Sequence, residues 1–318
     1  MKASVVIPAY NASKTLPIVL RSLQNQDFRD FEIILVDDGS TDDTSSVAKK
    51  NAGHLDLHVF RNSENQSRAK TRNTGAKQAR GEILILLDSD VEAVPNYISG
   101  HIRLHESLPG AVGIGALRYP PHLAGKALAR YYSSRGGARL KPGQPLPGKY
   151  FVSGLASFPR ALFEEVGGFD ERFQSYGSED LELGLRFQAL GVQIHYLPGA
   201  IGYHHHLRPL KEVMAILHQY GREGISVLLE KHPAFASELR LDDLTGPAKV
   251  RSQASLARRL LTAAALFHPA VEIASLLQNL PLPSPLLTYL HYAAYRRGFL
   301  EYLADFPNPI QNLKSKIL

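Results

Sequence analysis

The chain begins as short runs of unbroken hydrocarbon alternating with stretches in which apolar residues return at helical spacing. The runs are "SVVIPAY" (Ser4–Tyr10), "FEIILVDDGS" (Phe31–Ser40), "LHVF" (Leu57–Phe60) and "EILILL" (Glu82–Leu87). Val, Ile and Leu without polar alternation predict strands covered on both faces, as in a parallel sheet. Between them a helix is predicted from about Ser13, with Leu16, Val19, Leu20 and Leu23 on one face. "STDDT" (Ser40–Thr44) offers side-chain acceptors for the free N–H groups of a second helix. "SRAKTRNTGAKQAR" (Ser67–Arg80) reads as a basic third one. This order of elements predicts an α/β fold around a mostly parallel sheet flanked by helices.

The character changes between Arg118 and Tyr150, a stretch with seven Lys or Arg, no acid, and many Pro and Gly. Such a segment either lies solvated on the surface or closes as a flap over phosphates or an anionic acceptor. Beyond it "FVSGLASF" predicts another strand, and "RALFEEVGGF" a short helix ended by Gly167 and Gly168. "SEDLELGLRFQALG" predicts a helix from a Ser178 N-cap to Gly191, with Leu181, Leu185, Phe187 and Leu190 toward a core. Glu179 and Asp180 then fall in its first turn, where complementing the helix dipole is reason enough for acids. "VQIHYL" and "AIGYHHH" follow as a pair of apolar segments, the second ending on His204, His205 and His206. "PLKEVMAILHQYGREGISVLLEKHP" is an amphipathic helix.

Composition narrows the class. The 318 residues are 44% hydrophobic and 21% charged, an ordinary globular balance with room for a large domain and an appendage. No cysteine is present, so disulfides and thiolate metal sites are excluded. "MKASVVIPAY" enters a strand at once, without the apolar run of a signal peptide, which makes a cytoplasmic location the expectation. Of the net charge of +6, residues 246–318 carry 8 − 3 = +5. A basic, partly apolar tail suits an anionic membrane surface better than nucleic acid, and no nucleic-acid-binding motif is present. Within it "RRLLTAAALFHPAVEIASLLQNLPLPSP" offers about 18 mostly apolar residues broken by His268, Pro269 and Glu272, short of the roughly 20 that a spanning helix needs. The expectation is an interfacial segment anchored by Arg258, Arg259, Arg296 and Arg297, or else a plain helical subdomain.

The candidate chemistry sits at strand ends. "ILILLDSDVE" drives buried hydrocarbon into Asp88 and Asp90, whose like charges repel unless something positive lies between them. A hard divalent cation such as Mg²⁺ or Mn²⁺ answers that need; a solvated turn avoids it. Asp37 and Asp38 end the second strand in the same way, and Tyr10 ends the first. In open α/β sheets the carboxyl edge is where ligands bind, which favours a site over a turn.

"SVVIPAYN", "FEIILVDDGSTDDT", "NQSRAKTRNTGAKQARGEILILLDSD", "VGGFDERF" and "SEDLELGLRFQALG" together resemble, in order and spacing, the family 2 glycosyltransferases of the A-type glycosyltransferase fold, over roughly residues 3–210. The resemblance implies a nucleotide-sugar donor, preferably a UDP-sugar, transfer with inversion, and a glycan or lipid-linked acceptor. It implies that Pro8, Ala9 and Tyr10 line the nucleoside pocket and that Asp37 or Asp38 bonds the base or ribose. Arg68 and Arg72 would contact base or phosphate, and Asp88 with Ser89 would lie at the ribose. Asp90 would be the direct metal ligand, assisted by Asp88 and a distal histidine, His204 before His206. Imidazole tips the balance toward Mn²⁺. Asp180 would be the general base, since a sugar hydroxyl attacks only if its proton has somewhere to go. Glu179 would bind acceptor hydroxyls, and repulsion within the pair would raise the proton affinity of one. Gly154, Gly168, Phe169 and Asp170 would shape the donor-sugar and acceptor walls. The chain departs from the family pattern at Ser67, a position usually Gly.

The same resemblance divides the chain into a catalytic domain, 1–210, with a nucleotide-binding half at 1–117, a basic mobile flap at 118–150 and an acceptor half at 151–210. A helical extension, 211–245, and a basic, apolar C-terminal helical segment, 246–318, follow. Peripheral contact with the cytoplasmic face of a membrane is expected of the last. Three rivals remain: a sugar-nucleotide pyrophosphorylase, whose Gly-rich basic loop "AYNASKTLP" lacks; a dinucleotide oxidoreductase, without its G-x-G-x-x-G; and a sugar-binding scaffold of the same fold that has lost turnover.

Overall fold

The computed structural model describes residues 1–135, 138, 144–175, 177–239, 241 and 282–305. They form two compact units. The first comprises Met1–Gly125, Ala129–Gln174 and Glu179–Leu207; the second comprises Lys126–Leu128, Ser175–Ser178 and the described residues from Arg208 onward.

The first unit is built on a mixed sheet. Strands β1 (Ala3–Ala9), β2 (Phe31–Asp37), β3 (Leu57–Arg61) and β4 (Ile83–Leu86) are parallel, in the order β3-β2-β1-β4. Helices α1 (Leu16–Gln24), α2 (Thr44–Lys50) and α3 (Arg68–Gln78) make the crossovers. Successive residues of a strand point to opposite faces, and here both faces are apolar. Val5, Ile7, Ile33, Leu35 and Ile85 meet Leu16, Val19, Leu20 and Leu23 of α1 in one core. Val6, Ile34, Val36, Leu84 and Leu86 meet Ala69 and Ala76 of α3 in the other. Each such side chain contributes on the order of 1.5–3 kcal/mol on burial, so the central strands are the most firmly held part of the unit. At the start of α2 the acceptor is Asp42, which takes the N–H of Thr44 at 3.0 Å and that of Ser13 at 3.1 Å.

Residues 91–118 carry no clear period, yet they fold as β5 (Val91–Ala93), α4 (Tyr97–Ser107) and β6 (Val112–Arg118). Gly113 and Gly115 thin the strand signal, and α4 turns His101 and His105 inward. After the short helices α5 (Pro121–Ala124) and α6 (Ala127–Ser133) and the two-residue strand β7 (Pro145–Leu146), the expected strand from Phe151 shortens. Ser153–Leu155 is a tight 3₁₀ turn, and only Ala156–Pro159, β8, joins the sheet, antiparallel between β4 and β6. Helices α7 (Arg160–Glu165) and α8 (Glu179–Ala189) follow. The two apolar segments expected near residue 200 are one strand, β9 (Ile194–His204), parallel to β6. Its register jumps from Gly115↔Leu197 to Ala116↔Ile201, a bulge that makes the pattern look interrupted.

The inward face of α8 differs from the expected one. Leu183 and Phe187 are fully buried, while Leu190 is exposed. Glu182 is buried too, because Arg186 one turn later forks onto its carboxylate at 2.7–3.0 Å. This ion pair puts the Glu182 charge on the core side and masks the period. Nor is Ser178 a side-chain cap. It has φ +74°, outside the extended region an N-cap uses, and its buried Oγ makes no hydrogen bond among the described residues.

The described part of the second unit is helical. The expected single helix from Pro209 is α9 (Leu210–Gln219), a π-helical turn (Tyr220–Gly224) and α10 (Ile225–Lys231), followed by α11 (Phe235–Glu238) and α12 (Ser284–Asp305). Ile225, Leu229, Ala236, Phe299 and Leu303 make its core. Arg296 is no membrane anchor: it is fully buried, with its guanidinium 4.7 Å from the centre of the Tyr292 ring. Arg297 bonds Glu301 at 3.1 Å. Arg258, Arg259 and the rest of the apolar tail up to residue 281 lie outside the described residues, as do 136–137 and 139–143 of the basic stretch. Among the described residues no helix is long and apolar enough to cross a membrane.

Candidate active site

The carboxyl ends of β1, β2 and β4, the amino ends of α3 and α8, and the end of β9 supply the candidate residues. Their centre is Arg72, one turn into α3 and only 3% exposed. Its Nη2 lies 3.1 Å from Asp88 Oδ1, and its Nη1 lies 3.3 Å from Glu179 Oε1 and 4.0 Å from Asp180 Oδ1. Three carboxylates from two places in the sequence thus share one buried cation, which also stands 5.6 Å from the centre of the Phe169 ring.

The electrostatics follow from that arrangement. Burial alone would push Asp88 up, but the charges of Arg72, Arg68 and His204 outweigh it and hold the carboxyl below its usual range. Glu179 goes the other way: burial, and then Asp180 beside it, raise it above the ordinary value against the pull of Arg72 and Arg68. Repulsion between neighbouring acids therefore shows up in Glu179. Asp180 is held by a backbone amide, since the N–H of Ser153 donates to Asp180 Oδ2 at 3.1 Å, while Oδ1 is buried without a hydrogen-bond partner among the described residues.

Gly154 is fitted to Asp88. Its carbonyl accepts the N–H of Asp88 at 3.2 Å, and a Cβ there would fall 2.3 Å from Asp88 Oδ2. The tight turn from Ser153 thus touches the base candidate with one residue and the strand-end carboxylate with the next. Gly168, at φ +71°, and Phe169 form a turn whose backbone is gripped by Asn73 of α3. Phe169 N–H donates to Asn73 Oδ1 at 2.9 Å, and Asn73 Nδ2 donates back to the Phe169 carbonyl at 2.9 Å. Asp170 is turned to Arg172, which reaches its Oδ2 at 2.8 Å.

Asp90 faces the histidines. His204 Nε2 is 3.4 Å from Asp90 Oδ1, and His206 Nδ1 is 3.9 Å from Oδ2, with the two rings nearly parallel. Among the described residues His204 Nδ1 is buried without a hydrogen-bond partner, and Tyr119 packs edge-on against the ring. His205 points elsewhere and bonds Glu92 at 2.6 Å. Hard carboxylate oxygens beside imidazole nitrogens fit a divalent ion of the Mn²⁺ kind. One further group deserves exclusion. Glu32, Asp56 and His58 bring three ligand atoms within 4.8 Å of one another, but at the opposite, amino edge of the sheet, where Arg80 occupies them at 2.7 Å from Glu32 and 3.1 Å from Asp56.

At the end of β1, Pro8 is half-buried, Ala9 is buried and the Tyr10 ring is 50% exposed. Asp37 is fully buried and bound by Arg61 at 2.7 Å, by the N–H of Ser40 at 2.9 Å and by the Ser45 hydroxyl. Burial would raise it, but these partners hold it below the ordinary range. Asp38 Oδ1 accepts from Asn62 at 2.7 Å and from Gln66 N–H at 3.0 Å, leaving Oδ2 with the longer 3.5 Å contact to Ser67 N–H. Ser67 itself has φ +127°, a backbone that suits the glycine usual there, and its Oγ accepts the N–H of Lys70 to cap α3. Ser89 is half-buried between Asp88 and Asp90, and Arg68 is exposed on α3. Asn73, Ser153 and Tyr119 were not legible as site residues. Asn73 stands beside Arg72 in "TRN", but Ser153 acts through its backbone and leaves no signal in the sequence.

Comparison with known proteins places this geometry in context. The model of the family described as glycosyl transferase family 2 matches residues 4–167, and that of the N-terminal domain of galactosyltransferase matches 138–210. A validoxylamine A glucosyltransferase from Streptomyces hygroscopicus subsp. jinggangensis is 32% identical over 218 residues, 59% of this chain and 52% of that protein. The chain thus spans about half the length of that relative. Among solved structures, Staphylococcus aureus TarS 1-349 in complex with UDP aligns with a TM-score of 0.56 at 22% identity, covering 96% of this chain and 92% of that one. The mannosyltransferase PcManGT from Pyrobaculum calidifontis, in complex with GDP-Man and Mn²⁺, aligns with a TM-score of 0.56 at 19% identity, covering 96% and 88%. At these identities the two structures establish the fold.

Proposed function

Because the chain belongs to glycosyltransferase family 2 and has the A-type fold, we propose that it moves a sugar from a nucleoside diphosphate sugar, preferably a UDP-sugar, to a hydroxyl of a glycan or lipid-linked acceptor, with inversion. One observation carries the reading: Asp88, Arg72, Glu179 and Asp180 converge within 4.0 Å contacts at the carboxyl edge of the sheet. In this account the Tyr10 ring stacks on the base, and Asp38 Oδ2 and Asp88 bond the base or ribose. Arg68, exposed and positive, meets the phosphates. Ser89 lies at the ribose.

Asp90, Asp88, His204 and His206 would hold a divalent ion, Mn²⁺ by their donor set. Such an ion, when bound, neutralises the charge that grows on the departing diphosphate. The chain's own residues do the rest. Glu179 orients the acceptor by its hydroxyls, and Asp180 takes the proton of the attacking hydroxyl as the new bond forms at the anomeric carbon, opposite the bond to the diphosphate that breaks. Ser153 N–H keeps Asp180 aimed. Gly154 leaves room beside Asp88, and the Asn73-held turn at Phe169 walls the sugar side. A lipid-linked acceptor would be met at the cytoplasmic face of a membrane.

The test is a panel of nucleotide sugars assayed for metal-dependent hydrolysis and transfer, with EDTA and add-back of Mn²⁺ or Mg²⁺. The reading expects one donor to be consumed, its turnover abolished by chelation and restored best by Mn²⁺. Donor binding without turnover would identify a scaffold that has lost catalysis. No binding of any donor would remove the glycosyltransferase reading.

A further inference from the structure

A buried guanidinium with a carboxylate on each arm is an unusual thing to place at the junction of two half-sites. Arg72 points Nη2 at Asp88, which belongs to the donor side, and Nη1 at Glu179 and Asp180, which belong to the acceptor side. At 3% exposure it has no water to fall back on, so its single charge is divided among whichever carboxylates face it. The fork is rigid and planar, and a shift of one arm moves the other. Phe169 beside the guanidinium limits where it can go, and Asn73, the next residue on α3, fixes the Phe169 turn by two 2.9 Å hydrogen bonds. Around this cation the tight turn makes a second, backbone link: Ser153 N–H to Asp180 and Gly154 carbonyl to Asp88 N–H.

We infer that Arg72 is a positioning residue that couples the two half-sites: loading of the donor at Asp88 releases the guanidinium toward Glu179 and Asp180 and sets the acceptor side for reaction. The inference rests on the glycosyltransferase reading, which assigns the two sides. When a metal-bound diphosphate claims Asp88, the charge that Arg72 spent there becomes available to the acceptor pair. An empty donor site leaves Arg72 shared and the pair less well held, so acceptor hydroxyls meet an organised base only after the donor is in place. Coupling of this kind is reciprocal. Removing charge on the acceptor side must therefore alter donor affinity, and must do so through Arg72.

The experiment measures UDP binding in the presence of Mn²⁺ by calorimetry, on the full chain, for the wild type, Glu179→Gln, Arg72→Lys and the double variant. Lysine keeps the charge but has a single ammonium that cannot face both sides. In the Arg72 background, Glu179→Gln leaves the guanidinium to pair more fully with Asp88, and UDP affinity is expected to fall about fivefold, the low end of ordinary couplings. In the Arg72→Lys background the same substitution should change it less than about twofold. If Arg72→Lys does not fold, salt decides. A loss caused only by a weaker field around the site fades between about 0.05 and 0.5 M NaCl, whereas one carried by a buried fork persists. Equal effects in both backgrounds, no effect of Glu179→Gln, or a loss that fades with salt would overturn the coupling and leave the functional reading standing. A wild type that binds neither UDP nor another nucleoside diphosphate would overturn both.

Discussion

Lowering the pH from 7 to 5 should cost this protein about 4 kcal/mol through one buried cluster. His101 and His105 on α4 both bond Ser157 Oγ of β8, at 2.7 and 2.8 Å, and Ser157 pairs with Ile85 of β4, the strand that leads to Asp88. Burial, helped by the neighbouring imidazole, pushes His101 down to about 3. Burial, helped by Lys2, pushes His105 down to about 4. A folded-state value below the unfolded one, about 6.5, gives stability that is present above pH 6.5 and lost as the pH falls toward the folded values. At pH 5 each unfolded imidazole gains about 2 kcal/mol from protonation that its folded counterpart forgoes, hence about 4 kcal/mol for the pair. For a domain of this size that corresponds to a fall in Tm of about 8–16 °C. The assay is thermal melting by circular dichroism at fixed ionic strength, comparing wild type with H101Q/H105Q, which shares every carboxylate. The variant should be less stable at pH 7 but lose far less on acidification. A wild-type fall below about 3 °C, or an equal fall in both proteins, would refute the neutral-histidine account.

Other outcomes follow from the site. Asp180→Asn should lower transfer by about 10²–10⁴-fold in a protein that still binds UDP, and undiminished transfer would remove Asp180 as the base. Gly154→Ala places a Cβ 2.3 Å from Asp88 Oδ2 and should weaken UDP binding at least about tenfold, with a cost of about 1–3 kcal/mol in stability; unaltered binding would show that the turn moves freely. Tyr10→Ala should reduce affinity for UDP by the worth of one base stack, about 1–3 kcal/mol, without affecting Tm, since the ring is 50% exposed.

Much of this was legible in the sequence because short-range rules governed it. The runs from Ala3, Phe31 and Ile83 are strands buried on both faces, and Leu16, Val19, Leu20 and Leu23 of α1 all face the core. The reading failed where polar groups were turned inward. Buried Glu182, paired with Arg186, hides the face of α8, and His101 and His105 place imidazoles where α4 should be apolar. The bulge in β9 broke one strand into two apparent ones, and the turn at Ser153 replaced the first half of another. At the site, the acids announced themselves as pairs at strand and helix ends. The bridge made by Arg72 did not, because a basic residue on a basic helix gives no hint that it is buried between carboxylates 16 and 107 positions away. Ser67 is the converse case, a residue that departs from the family pattern while its φ of +127° keeps the glycine-type backbone.

The central claim is that the carboxylates at the rim of the sheet grip a metal-bound nucleoside diphosphate. Calorimetric titration of UDP, GDP and dTDP into the wild type and into Asp88→Asn and Asp90→Asn, each with and without Mn²⁺, tests it most directly. The account predicts that one nucleotide binds the wild type tightly only when Mn²⁺ is present, and that either substitution loses most of that metal-dependent affinity. Binding indifferent to Mn²⁺ and to both substitutions would contradict it.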